Sequence, residues 1–243
     1  MNNMIVNADD FGLSTSANLA IVDCFKKGII NRTILMVNGP CVEEAVKLAR
    51  ENKFEDKVGL HLNLTFGRPL SKNILNTELC KEDGTFSSEL LKPKFFFICH
   101  GRLKKYIREE VEAQINRFEE LGFKPYHIDS HRHIHTRIPV FLTIKNVLLL
   151  RGFNSIRISR NIKENGFSLF SSLYKKILND YIISKVFPVH SSYMCSLSDW
   201  LAIGKEKKNI EVMVHPDVDS EGRIFDRLHD FQDYRIETVS INK

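Results

Sequence analysis

Short apolar runs alternate with amphipathic stretches along this chain, and that alternation constrains the fold more than any other feature of the sequence. Residues 4–8 suit a strand, after which Ser14 can cap a helix with apolar face Ala17, Ala20, Ile21, Cys24 and Phe25 and a stop at Gly28. The spacing predicts a second strand over 33–37, a turn at Asn38-Gly39 and a helix opened by Pro40 that runs to about residue 50. A third strand follows over 58–64. Leu103, Ile107, Val111, Ile115 and Phe118 then give a helix its stripe, ended by Gly122. A strand over 127–135, a helix over 139–150, a strand over 155–158, a long helix over 169–185 and strand candidates at 186–193 and 210–214 complete the pattern. Six or seven such units, with no linker between them, predict one domain over residues 1–243 built on a parallel sheet.

Four strands carry chemistry at their ends. The first runs into Asp9-Asp10-Phe11-Gly12. The third separates an apolar row, Val58, Leu60, Leu62 and Leu64, from a polar row, Gly59, His61, Asn63 and Thr65. The fourth is His127-Ile128-Asp129-Ser130-His131-Arg132-His133-Ile134-His135, and the last ends in His215-Pro216. If 127–135 is extended throughout, His127, Asp129, His131, His133 and His135 all share one face. Residues two apart on a strand are separated by about 6.6 Å, so a cation takes one or two ligands here and needs others from elsewhere. Each segment also has a plainer use: paired aspartates cap turns, a lone histidine can be structural, and His-Pro can mark a turn. The coincidence of all four at strand ends is what points to a site. Strands one, three, four and the last converge only if the sheet curls round, which predicts a TIM-like barrel with its site at the C-terminal face.

Composition narrows the class further. A hydrophobic content of 43% supports a sizeable core without disulfide staples. The five cysteines are odd in number and form no Cys-X-X-Cys pair, so they read as reduced thiols of a cytoplasmic protein. No secretory signal is expected at Met1-Asn2-Asn3-Met4, and no apolar run approaches the roughly 20 residues of a membrane span. The net charge of +5 lies on scattered lysines with no nucleic-acid motif, so a nucleic-acid partner is not expected. Residues 66–100 have poor periodicity and follow the His61 strand, as a cap over the site would.

The ordered set Asn7-Ala8-Asp9-Asp10-Phe11-Gly12-Leu13-Ser14, Val37-Asn38-Gly39, Gly59-Leu60-His61-Leu62-Asn63-Leu64-Thr65, the histidine run from His127 and His215-Pro216 strongly resembles the YdjC-like carbohydrate deacetylases, which include the chitooligosaccharide deacetylases. The similarity extends to about residue 220. It implies a distorted α/β barrel of the glycoside hydrolase/deacetylase type, one divalent metal ion and an N-acetylated sugar as substrate. Carried onto this chain, the family pattern makes Asp10, His61 and His131 metal ligands, Asp9 the general base and His215 the general acid. It leans to magnesium, whereas imidazole ligation argues for zinc or another transition metal. His127, Asp129, His133, His135 and Asn63 then orient ligands or meet the substrate. Two departures stand out. Arg132 replaces a histidine common in relatives, and a charged stretch over 223–237 stands where relatives continue with a helix and a closing strand. Rival readings are another metal-dependent amidohydrolase or phosphoesterase on a barrel, and a glycan-binding pseudoenzyme; a homodimer is an open arrangement.

Overall fold

The computed structural model describes residues 4–228. Seven strands, β1 Met4–Phe11, β2 Arg32–Leu35, β3 Val58–Leu62, β4 His127–Ser130, β5 Ser155–Ile156, β6 Tyr193–Ser196 and β7 Ile210–Val214, form one parallel sheet in the order β5-β4-β3-β2-β1-β7-β6. Helices α1 Thr15–Lys26, α2 Val42–Glu51, α3 Gly101–Glu120, α4 Ile138–Leu150 and α5 Leu169–Lys176 occupy the crossovers. The sheet curls into a half-barrel whose gap is bridged by residues next to its edge strands. Ser155 bridges Val189, and the Asn161 and Ile162 amides both donate to the Met194 carbonyl at 3.1 and 3.2 Å. The result is a distorted TIM-like α/β barrel, as the spacing of its chemical residues required.

Local chemistry explains the elements. Ser14 Oγ accepts the Ala17 amide at 3.1 Å, and Ala17, Ala20, Ile21 and Cys24 are buried against the sheet. The α3 stripe of Leu103, Ile107, Val111, Ile115 and Phe118 is likewise buried, each such side chain contributing about 1.5–3 kcal/mol on leaving water. Along the strands, Val6, Ala8, Leu60, Leu62, Ile128, Val212 and Val214 join the apolar core. Their alternates Asn7, Asp9, His61, His127, Asp129 and Glu211 are buried polar groups that bond inside the barrel. The lumen is therefore charged, where most barrels fill it with branched apolar side chains.

Two expectations are corrected. Strand β4 ends at Ser130, and Arg132 and His133 adopt left-handed φ of 54° and 53°, so the alternation expected across 127–135 stops there. The cause is Ser130, whose Oγ accepts the His135 amide at 2.9 Å and bonds His135 Nδ1 at 2.6 Å, pulling the chain into a 3-10 turn. The strand expected at 186–193 lies at Tyr193–Ser196 instead, because Val186 closes the helical run that continues α5 through a π-helical segment, Ile177–Ile183. After His215 the chain forms a hairpin, β8 Pro216–Val218 and β9 Ile224–Asp226. Residues 229–237 of the charged stretch lie outside the described residues. Among the described residues no helix is long and apolar enough to cross a membrane.

Candidate active site

The two adjacent aspartates part company at a bulge. The β1–β2 register shifts between Ala8 and Phe11, and Asp10 takes φ 68°, a conformation aspartate tolerates better than most side chains. Asp9 turns inward to a guanidinium: its Oδ1 and Oδ2 accept Arg157 Nη2 and Nη1, both at 2.7 Å, and Oδ1 also accepts Asn7 Nδ2 at 2.8 Å. Burial raises its carboxyl, but Arg157 outweighs it and holds the group well below the usual carboxylate range. Asp10 turns to β3 instead. Its Oδ1 lies 3.2 Å from His61 Nε2 and its Oδ2 pairs with Arg227 from the hairpin. Its carboxyl is also held low, His61 overcoming the effect of burial.

His61 and Asp129 are register partners on β3 and β4, which sets His61 Nδ1 2.6 Å from Asp129 Oδ1. That bond presents His61 Nε2 to Asp10. Burial disfavours a proton on His61, yet Asp129, Asp10 and Asp9 push it up to about 10. The pocket thus demands a positive charge at Nε2, a demand that a cation beside Asp10 would answer. His131 opens the 3-10 turn with its Nδ1 2.7 Å from Thr65 Oγ1 and its ring centroid 5.9 Å from that of His61, and burial holds it down to about 4, neutral and able to ligate.

Beneath these groups lies Arg157, fully buried, which sequence reasoning missed. Besides Asp9 it contacts Asp129 Oδ2 at 2.7 Å and Glu211 Oε1 at 2.5 Å, while Glu211 Oε2 pairs with Arg32 at 2.6 Å. One signal was available: Glu211 stands in the middle of the apolar run Ile210-Glu211-Val212-Met213-Val214, where an unpaired charge is untenable. Asp226 and Arg227 were also missed. His215 sits between carboxylates on both sides, with Nε2 3.7 Å from Asp9 Oδ2 and Nδ1 3.9 Å from Asp226 Oδ1.

The remaining candidates are placed as follows. His135 is fully buried, bonded to Ser130 and through Nε2 to the Arg157 carbonyl at 2.9 Å. His127 lies lower in the barrel, its Nδ1 on Ser155 Oγ at 2.7 Å, and burial keeps it neutral. His133 stands in the left-handed turn and is also held neutral by burial. Asn63 spends its side chain on the backbone and on Asn38: it accepts the Thr65 and Phe66 amides and donates to the Phe66 carbonyl and Asn38 Oδ1. Its main chain is clasped by Gln114, which also bonds Glu110, and Glu110 in turn accepts the Leu70 and Ser71 amides at the base of segment 66–100.

Among the described residues two trios bring ligand atoms within 4.8 Å of one another: Asp9, His61 and Asp129, and His127, Asp129 and Glu211. Arg157 already engages Asp9, Asp129 and Glu211. Asp10 Oδ1, by contrast, is a buried oxygen without a hydrogen-bond partner, facing His61 Nε2. Among the described residues the lumen also holds four buried carboxylates, Asp9, Asp10, Asp129 and Glu211, against two buried guanidiniums, Arg32 and Arg157; Arg227 and the His61 ring supply the remaining positive charge beside Asp10, where a cation could take their place. The donor set of Asp10, His61 and His131 fits such an ion.

A curled parallel barrel with an Asp/His pocket at the C-terminal ends of its strands defines the class, a TIM-like α/β protein with its site on the customary face. Within that class the chain belongs to the YdjC-like protein family, whose model matches residues 3–239. It is 34% identical over 213 residues to a carbohydrate deacetylase of Clostridium beijerinckii, covering 88% of this chain and 80% of the relative. It is 29% identical over 227 residues to a chitooligosaccharide deacetylase of Klebsiella pneumoniae, covering 88% and 81%. A crystal structure from Enterococcus faecalis V583, described as a cellobiose-phosphate cleavage protein, superposes with a TM-score of 0.66 at 22% identity over 91% of this chain and 84% of that one, which supports the fold.

Proposed function

We propose that this protein is a metal-dependent carbohydrate deacetylase that removes acetyl groups from N-acetylated amino sugars, chitooligosaccharides among them. The observation that carries the reading is the buried Asp10 Oδ1, which has no hydrogen-bond partner and faces, at 3.2 Å, an imidazole oriented by Asp129. The names of the relatives supply the substrate class. Asp10, His61 and His131 would hold one divalent ion, magnesium by family resemblance or a transition metal by its imidazoles. When bound, such an ion polarises an amide carbonyl and makes water acidic enough to attack it.

The chain's own groups do the proton work. Arg157 keeps Asp9 ionised, the state a general base requires, and leaves a lone pair of Oδ2 on the side facing His215. Asp9 takes the proton of the attacking water there. His215 Nε2, beside it, delivers a proton to the departing sugar nitrogen, with Asp226 behind Nδ1 to stabilise the charged ring. Segment 66–100 serves as a substrate-facing cap, anchored by Glu110, with Phe66 edge-on to His131 at 6.1 Å between centroids. A phosphoesterase using two ions fits less well, because guanidiniums hold Asp129 and both Glu211 oxygens of the lower trio.

The test is acetate release from N-acetylglucosamine oligomers before and after chelation, with metals restored one at a time. Turnover lost to chelator and regained with more than one divalent ion is the expected result. Undiminished turnover in fully chelated protein would refute metal dependence, and no acetate from metal-replete protein would refute the activity.

A further inference from the structure

One lysine outside the proposed site is set apart by its surroundings. Lys175, in the last turn of α5, lines a surface cavity of about 250 Å³ together with Phe167, Lys176, Asn179 and Asp180. Its Nζ donates to the Arg160 carbonyl at 2.7 Å, lies 3.4 Å from Ser159 Oγ and stands 4.3 Å from the centre of the Phe167 ring. Among the described residues no carboxylate pairs with it, whereas Lys92 and Lys94 share Glu89. The charges that act on it are positive: Arg160, and Lys163, whose Nζ is 5.8 Å from the same ring. Burial, Arg160 and Lys163 together bring its ammonium group down to about 8.

We propose that Lys175 is an acylation site, a nucleophilic amine that takes small acyl groups from acyl phosphates. A lysine drawn partly out of water beside other cations is the usual form of a nucleophilic amine. In the step, the Nζ lone pair attacks the acyl carbon and a C–N bond forms. The C–O bond to phosphate breaks, phosphate leaves with that electron pair, and the surplus N–H proton passes to water. Lys163 and Lys176 beside the cavity favour a donor with an anionic leaving group over a neutral one. At about pH 7.5 an amine held at about 8 is roughly a quarter unprotonated, against roughly 0.1% for an ordinary lysine. Lower basicity weakens the nucleophile and returns part of that gain, as it does for thiolates, leaving a preference on the order of tenfold. Acylation leaves Nζ one N–H and no charge, which loosens the tie between α5 and the chain that follows β5.

The test treats the folded full chain with acetyl phosphate at about pH 7.5 and follows each lysine by peptide mass spectrometry. Lys175 is expected to gain acetyl on the order of tenfold faster than the exposed Lys104. Unfolding in urea should abolish the preference, because the cavity and its neighbouring charges are lost together. Lys163→Glu, at an exposed position, puts a carboxylate where a cation stood and should slow Lys175 several-fold while circular dichroism stays unchanged. Equal rates at Lys175 and Lys104 in the folded chain overturn the proposal. So does a preference that survives unfolding, or one that Lys163→Glu leaves intact.

Discussion

Replacing Asp129 by asparagine keeps the shape of the pocket and removes one charge, and the consequences divide in a way the structure quantifies. Asp129 is completely buried and serves two partners, His61 Nδ1 at 2.6 Å and Arg157 Nη1 at 2.7 Å. Arg157 keeps Asp9 and Glu211 in the variant, so no guanidinium is orphaned. The stability cost should be about 1–3 kcal/mol, short of the 3–5 kcal/mol of a fully broken buried pair. His61 fares worse. Asp129 is the strongest of the groups that favour charge on its ring, and an amide supplies none of that, so Nε2 becomes a poorer donor. Loss of a carboxylate behind a ligating imidazole costs about 10–100-fold in metal affinity, or about 1.4–2.7 kcal/mol. Both quantities are measurable on the same preparation, by urea unfolding of chelated protein and calorimetric titration with zinc and with magnesium. If unfolding shows the expected loss while ion affinity stays within about twofold, Asp129 does not act through His61, and His61 is not the ligand proposed.

Asp9→Asn should retain the ion and lose about 10² to 10⁴ in turnover, whereas Asp10→Asn should lose the ion and recover part of its activity at high metal concentration. Ion content and acetate release on both variants decide this, and the reverse pattern would exchange the two roles. Acid should destabilise the chelated protein in two stages. His135, held down to about 4 by burial, is neutral when folded, so stability falls as the unfolded chain takes up protons below about pH 6.5. Glu211, held at about 2 because Arg32 and Arg157 outweigh its burial, adds stability above its unfolded value of 4.5. That contribution, on the order of 3 kcal/mol, is lost as pH falls from there toward 2. Urea midpoints at about pH 7, 5 and 3 should fall at each step, and a flat interval between the first two removes His135 from the account. Glu110→Ala should free the base of segment 66–100, raising KM for long oligomers with ion affinity unchanged; equal effects on short and long substrates would deny the segment its cap role.

Much of the barrel was legible because periodicity is a local property. The α1 cap at Ser14, the α3 stripe and the apolar rows of β1, β3 and β7 follow from spacing, and each lies where spacing placed it. The histidine run misled because Ser130 sits five residues before His135, and the bonds between them outcompete continuation of the strand. The turn is further held by the carbonyl of Arg157, a partner no local pattern could supply. The hairpin that brings Asp226 and Arg227 to the site escaped for a related reason, since its strands are three residues each and, among the described residues, pair with one another rather than with the main sheet.

By itself, then, the sequence determined that strands alternate with helices, that four strand ends carry aspartate or histidine, and that a curled sheet is needed to gather them. Which partner each chemically identical group meets was decided only by the tertiary structure. Asp9 and Asp10 are indistinguishable as neighbours in a chain, yet one meets Arg157 from 148 residues away and the other meets His61 and Arg227. The physical reason is that side-chain periodicity encodes the face a residue presents, while its electrostatic partner depends on which strands become neighbours when the sheet closes.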